Sequence, residues 1–151
     1  MTKIKIKFST GYEVLATVQE KDDPEFAANL MAMVNKGPII CSCYHTISTG
    51  RFYLATPRPP EEPVKAGTQA DAIGNVKTLV SDLEAGDISL VGCNFWVTWG
   101  ACTEPVPIGG PVVAKVDPEY IDDFVKAGRE VWMHDYIYHK LSTLTICKED
   151  A

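Results

Sequence analysis

Strand-like segments recur along this chain, and only two long helical patterns stand among them. A parallel fold needs a crossover helix for each parallel strand pair. The imbalance excludes such a fold and leaves a mostly antiparallel sheet. That sheet can bury one face and lose its edges by closing into a barrel, with the two helices over the openings.

Lys3 to Phe8 alternate strictly, as a half-buried strand does. After the turn Ser9-Thr10-Gly11, residues 12–18 repeat the alternation with Val14, Ala16 and Val18 on one face, which predicts a hairpin. The first helix is expected over residues 24–36: Asp23 can cap it, Pro24 suits its first turn and Gly37 can end it. Phe26, Leu30 and Val34 form its apolar stripe, broadened by Met31 and Met33. A methionine-rich face can hold a cofactor, but core packing is its commoner use.

Residues 39–47 and 51–56 predict a second hairpin about Ser48-Thr49-Gly50. The proline-rich stretch 57–74 reads as a long irregular loop, a kind that is often functional or mobile. Val76, Leu79, Val80 and Leu83 suit a short helix or a strand. Strands follow over 88–91, 94–99 and 111–116. Asp117 and Pro118 open a second helix over 118–128, with Ile121, Phe124 and Val125 inward and Gly128 as its stop. Residues 130–140 alternate as a penultimate strand, and 141–147 form the last. With no internal repeat and no linker, residues 1–151 read as one α+β domain.

A net charge of −6 argues against nucleic acid, whose phosphates call for a basic stripe. Lys3, Lys5 and Lys7 merely form the wet face of the first strand. No apolar run reaches the roughly 20 residues that span a bilayer, and the N-terminus lacks a signal peptide's apolar stretch. A soluble, cytoplasmic protein is expected. The five cysteines, Cys41, Cys43, Cys93, Cys102 and Cys147, are odd in number, which disfavours a disulfide framework. Cys41 and Cys43 lack a second pair at zinc-ligand spacing, so buried thiols are expected and no metal or cofactor is indicated.

Three local features resemble the cyclophilin-like superfamily: the hairpin around Thr49-Gly50-Arg51-Phe52-Tyr53; Gly86-Asp87-Ile88 leading to Trp99-Gly100 and Thr103-Glu104-Pro105; and Val112 to Val116 running into a helix. The resemblance implies a closed, mostly antiparallel cyclophilin-like barrel capped by two helices. Within it the chain looks most like a bacterial family related to cucumopine synthase, whose members tend to carry a histidine five residues before the hairpin glycine. His45 stands at that distance from Gly50, although Ile47 replaces the basic residue often found two positions on. A prolyl isomerase is not implied, because no Gln and Gly-Gly follow Arg51-Phe52-Tyr53.

Tyr44, His45, Arg51 and Tyr53 lie on the two arms of one short hairpin. Histidine trades protons near neutral pH, and arginine grips a carboxylate with two parallel hydrogen bonds. His45 shares its strand face with Cys41 and Cys43, while Tyr44 points the other way. A histidine on an apolar face is a satisfied core residue or a pocket base, and the resemblance favours the pocket. Phe95, Val97 and Trp99 share one face of the aromatic strand; Asn94, Trp96 and Thr98 share the other. Cys102 and Glu104 follow in a loop, where a thiolate could attack a carbonyl and a carboxylate could move a proton. Trp132, His134, Tyr136 and Tyr138 would line one strand face, as barrel packing, a dimer interface or, for His134, part of a binding site.

Two functions fit. The first is an enzyme acting by acid/base chemistry at a C–N bond of a carboxylate-bearing metabolite, as lyase, synthase or hydrolase, as the resemblance implies. His45, Glu104 and Cys102 would be catalytic, and Arg51, Tyr44, Tyr53, Trp96, Trp99 and His134 would bind substrate. The second is a non-catalytic ligand-binding module or a subunit of a larger complex. Either would take a small anionic partner, and a homo-oligomer is expected. The first requires His45, Arg51 and Glu104 to meet in one pocket walled by Trp96 or Trp99.

Overall fold

The computed structural model describes residues 1–47, 49–59 and 78–151. Its strands are β1 (Lys3–Phe8), β2 (Glu13–Val18), β3 (Ile39–His45), β4 (Gly50–Pro57), β5 (Asp87–Val91), β6 (Asn94–Cys102), β7 (Val112–Val116) and β8 (Ser142–Lys148). They close into one barrel in the order β1-β2-β7-β5-β6-β4-β3-β8, and every neighbouring pair is antiparallel. Two α-helices accompany them, α1 (Pro24–Lys36) and α2 (Ile121–Met133). The expected α+β barrel is the observed fold. No helix among the described residues is long and apolar enough to cross a membrane.

Alternation decides which side chains fill the barrel. Ile4, Ile6 and Phe8 of β1, Val14, Ala16 and Val18 of β2, and Phe95 and Val97 of β6 are all buried in one core. Helix α1 adds Phe26, Leu30 and Val34, the stripe expected from its spacing. Phe124 of α2 is fully buried, its ring meeting Phe8 edge-on at 6.2 Å. A side chain of this kind contributes about 1.5–3 kcal/mol by leaving water. A second, smaller core of Phe52, Val80, Leu83, Cys102 and Ile108 lies apart, with Trp96 stacked on Phe52 at 3.9 Å. Phe52, Trp96 and Cys102 belong to the faces of β4 and β6 that point away from the barrel interior, and Val80, Leu83 and Ile108 cover them from outside those strands.

The structure corrects the reading of residues 118–140. Pro118–Tyr120 form a 3₁₀ turn, α2 runs through Gly128 to Met133, and His134–Tyr138 continue as a π-helical turn. No strand lies there. The aromatic alternation that suggested one is also a helical spacing: Trp132 and Tyr136 are four residues apart with rings at 6.0 Å, and His134 and Tyr138 likewise at 5.9 Å. Gly128 does not stop the helix because it is buried inside it, where its missing side chain makes room for Trp99. Of the segment expected around 76–83, Val80–Asp82 form a single 3₁₀ turn. Residues 60–74 of the expected loop lie outside the described residues.

All five cysteines are free thiols. Burial pushes Cys41 up to about 12 and raises Cys43 further, so neither is a thiolate near neutral pH. Tyr53 is fully buried beside them, and its hydroxyl has no hydrogen-bond partner among the described residues. An orphaned buried hydroxyl costs about 1–3 kcal/mol. Tyr53→Phe is therefore expected to stabilise the protein by about 1 kcal/mol in urea unfolding. A loss of stability instead would mean that the hydroxyl is bonded.

Candidate active site

One end of the barrel opens into a cleft of about 630 Å³ lined by His45, Ile47, Gly50, Arg51, Trp99, Val125, Arg129 and Trp132. Three strands and helix α2 build it. β3 ends at His45, β4 begins at Gly50, and β6 brings Trp99 across. Val125, Arg129 and Trp132 stand at helical spacing on one face of α2.

Close backbone approaches shape the cleft. Gly50 has φ +150°, and a Cβ there would sit 2.7 Å from Cys102 Cα. The pairing of β4 with β6 shifts register between Gly50 and Phe52, which leaves Arg51 outside the ladder. Its side chain crosses Gly100, where a Cβ would meet Arg51 Cδ at 2.5 Å, and its guanidinium lies over the Trp99 ring, 5.4 Å from the centroid. Cation–π contact of this kind contributes about 0.5–1 kcal/mol at an exposed site. On its other side Trp99 rests on Gly128.

His45 is held by every polar atom it has. Trp99 Nε1–H donates to His45 Nε2 over 2.9 Å, and His45 Nδ1 lies 2.7 Å from the Thr46 carbonyl. An indole nitrogen only donates, so Nε2 must accept and Nδ1 carries the proton. His45 is thus neutral with a defined tautomer. Burial lowers its pKa from the ordinary value, against smaller raising effects of the Thr46 carbonyl and the Asp135 charge. The unfolded chain therefore takes up this proton at higher pH than the native one. The stability contributed by neutral His45 is complete above about pH 6.5 and is lost as pH falls below it. Unfolding free energy should drop between about pH 7.5 and 5.5, and drop less in His45→Gln; equal drops would remove His45 as the cause.

Arg51 and Arg129 are both exposed, and neither forms an ion pair with another described residue. Among the described residues, no acidic side chain lines the cleft. In a chain of net charge −6, two guanidiniums with no ionic partner among the described residues, in a cleft also lined by Trp99 and Trp132, make a local positive site.

The structure brings His45, Arg51 and Trp99 together, and the remaining sequence candidates lie elsewhere. Tyr44 is 51% exposed on the outer face of β3, with its hydroxyl accepting from Arg58. Tyr53 pairs directly with His45 but points into the sealed interior, with the rings 6.2 Å apart. Trp96 and Cys102 belong to the outer core, because they alternate with Trp99 on β6. The Cys102 thiol is raised by burial and sits 3.8 Å from the Gly100 carbonyl. Glu104 does not line the cleft; its carbonyl accepts the Ser81 N–H, on the side of the outer core. His134 Nδ1 lies 2.9 Å from Ser142 Oγ and borders a separate groove with Tyr12, Lys126 and Tyr138.

Arg129 and Trp132 line the cleft without having been expected there. Their signal was present as the spacing 125, 129, 132, but it is visible only if the helix passes through Gly128. Among the described residues, no group of three or more His, Cys, Asp or Glu side chains is placed to hold a metal ion.

Neither the protein-family models nor the curated proteins contain a match to the sequence. Among solved structures the chain is similar to one described as McbB in complex with tryptophan, with a TM-score of 0.80 and 21% identity. The match covers 98% of this chain and 45% of that one, so this chain spans less than half of that protein's length. The shared feature is the fold. A closed eight-stranded barrel with two helices fits a cyclophilin-like architecture.

Proposed function

We propose that the protein binds a small carboxylate-bearing molecule of the amino-acid class in the cleft and acts on it by acid/base chemistry at a C–N bond. The observation that carries the binding half is the pair Arg51 and Arg129, which line the cleft with Trp99 and Trp132 and have no ionic partner among the described residues. Guanidinium forks suit carboxylates, and the indole walls suit an apolar or aromatic side chain. The similar fold of a protein solved with tryptophan supports the same ligand class. In the chemical half, neutral His45 would take the proton. It does so at Nε2 only after Trp99 withdraws its N–H, since an imidazolium and an indole N–H are both donors.

A second reading, ligand binding without catalysis, is favoured by that same full occupancy of the His45 ring and by the position of Glu104 away from the cleft. Titration by calorimetry tests the shared half: L-tryptophan and indole-3-propionate should bind, and tryptamine, which lacks the carboxylate, should not. Equal binding of tryptamine would defeat both readings. Exchange of the bound amino acid's Cα–H in D₂O, present in the protein and absent in His45→Gln, separates catalysis from simple binding.

A further inference from the structure

At His45 the barrel wall loses a strand. β3 pairs with β8 only as far as Cys43 with Ser142, while on its other side it pairs with β4 through His45. Upstream of β8 the strand does not continue: residues 139–141 are irregular and lead back to the π turn His134–Tyr138. That turn is closed by the His139 N–H on the His134 carbonyl, and His139 takes the left-handed conformation at φ 53°. Two neighbouring side chains of the turn replace the missing strand. Asp135 Oδ2 accepts the His45 backbone N–H at 2.6 Å, and the Tyr136 hydroxyl donates to the His45 carbonyl at 2.8 Å. π turns often mark functional positions in helices.

We propose that Asp135 and Tyr136 are positioning residues that hold the His45 ring in its Nδ1–H tautomer under Trp99, and through Trp99 set the perch of Arg51. The chain of contacts is continuous. The two side chains clamp the His45 peptide from both its donor and its acceptor, and the next carbonyl, that of Thr46, holds Nδ1. Nε2 is then aimed at Trp99 Nε1, and the Trp99 ring carries the Arg51 guanidinium. Neither Asp135 nor Tyr136 lines the cleft, so neither is expected to touch a ligand. A clamp of this kind reduces the reorganisation needed when a ligand arrives.

The test is made on the ¹⁵N-labelled full chain without ligand, reading the His45 imidazole nitrogens and the Trp99 indole N–H by NMR. In the unaltered protein His45 should show the Nδ1–H pattern and Trp99 a slowly exchanging N–H. Tyr136→Phe and Asp135→Ala should each raise exchange of the Trp99 N–H roughly tenfold, about what one buried hydrogen bond supports, and mix the His45 tautomers. Asp135→Asn keeps an acceptor oxygen and should restore most of the original pattern. Wild-type signals in Asp135→Ala, Tyr136→Phe and their double variant would overturn the assignment. Should Asp135→Ala fail to fold, Tyr136→Phe, which removes a single oxygen, decides alone. Titrating the unaltered protein with L-tryptophan reports on the cleft reading separately, so that reading can fail while the positioning role stands.

Discussion

The double substitution Arg51→Ala with Arg129→Ala should abolish binding of a carboxylate ligand, lowering affinity at least 100-fold in calorimetry. Each charge-assisted hydrogen bond to a carboxylate contributes about 1.5–3 kcal/mol, so losing two such grips removes about 3 kcal/mol or more. The fold should survive, because both side chains are exposed and neither is in an ion pair with another described residue. Arg51→Lys should lose most of its share as well. An ammonium keeps the charge but loses both the fork and the stacking on Trp99. Binding should also weaken with added salt, since both arginines face solvent. Affinity of the double variant within threefold of the original would place the ligand elsewhere.

Gly128→Ala should destabilise the protein by about 2 kcal/mol or more and weaken ligand binding with it. Alanine in a helix interior ordinarily gains about 1 kcal/mol over glycine. Here the sign reverses, because the new Cβ would stand 2.3 Å from Trp99 Cγ and 2.7 Å from Trp99 Cβ. The indole cannot retreat without leaving His45 Nε2 and taking the Arg51 perch with it. Thermal unfolding and calorimetry on the same variant check both effects. Trp99→Leu in the Gly128→Ala background should recover part of the stability, a non-additivity expected only of residues in contact. A rise in Tm for Gly128→Ala alone would show that the helix and β6 are not packed this way.

The barrel was legible wherever one local period had a single meaning. Lys3 to Phe8 admit only the strand reading, and the spacing of Phe26, Leu30 and Val34 between Pro24 and Gly37 admits only a helix. Residues 130–138 admitted two. Aromatics at every second position are also aromatics at every fourth, and the choice fell to contacts distant in sequence. Gly128 carried the wrong weight for the same reason. A glycine late in a helical pattern reads as a stop, unless something large must pass over it.

His45 and Arg51 could be picked out by type and neighbourhood, since a hairpin brings its own arms together whatever the rest of the chain does, and Trp99 joins them from β6. Glu104 and Trp96 could not be sorted the same way. Trp96 is separated from the cleft by strand alternation, which assigns faces but not which face holds the site. Glu104 lies past a strand that runs on to Cys102, three residues beyond Trp99, and so ends beside the outer core. Arg129 entered the cleft because α2 crosses the barrel end, a fact of packing.

The alternating strands, the first helix, the closed antiparallel arrangement and the hairpin that presents His45 and Arg51 are all written in the chain's local patterns. These follow from periods and turns spanning a few residues. The passage of α2 through Gly128, the completion of the cleft by Arg129 and Trp132, and the locking of His45 by Trp99 arise from packing alone. Each of these depends on a contact between residues far apart in the chain: 54 positions in the case of His45 and Trp99. Local preferences of about 1 kcal/mol per residue are outweighed there by the packing of one indole ring.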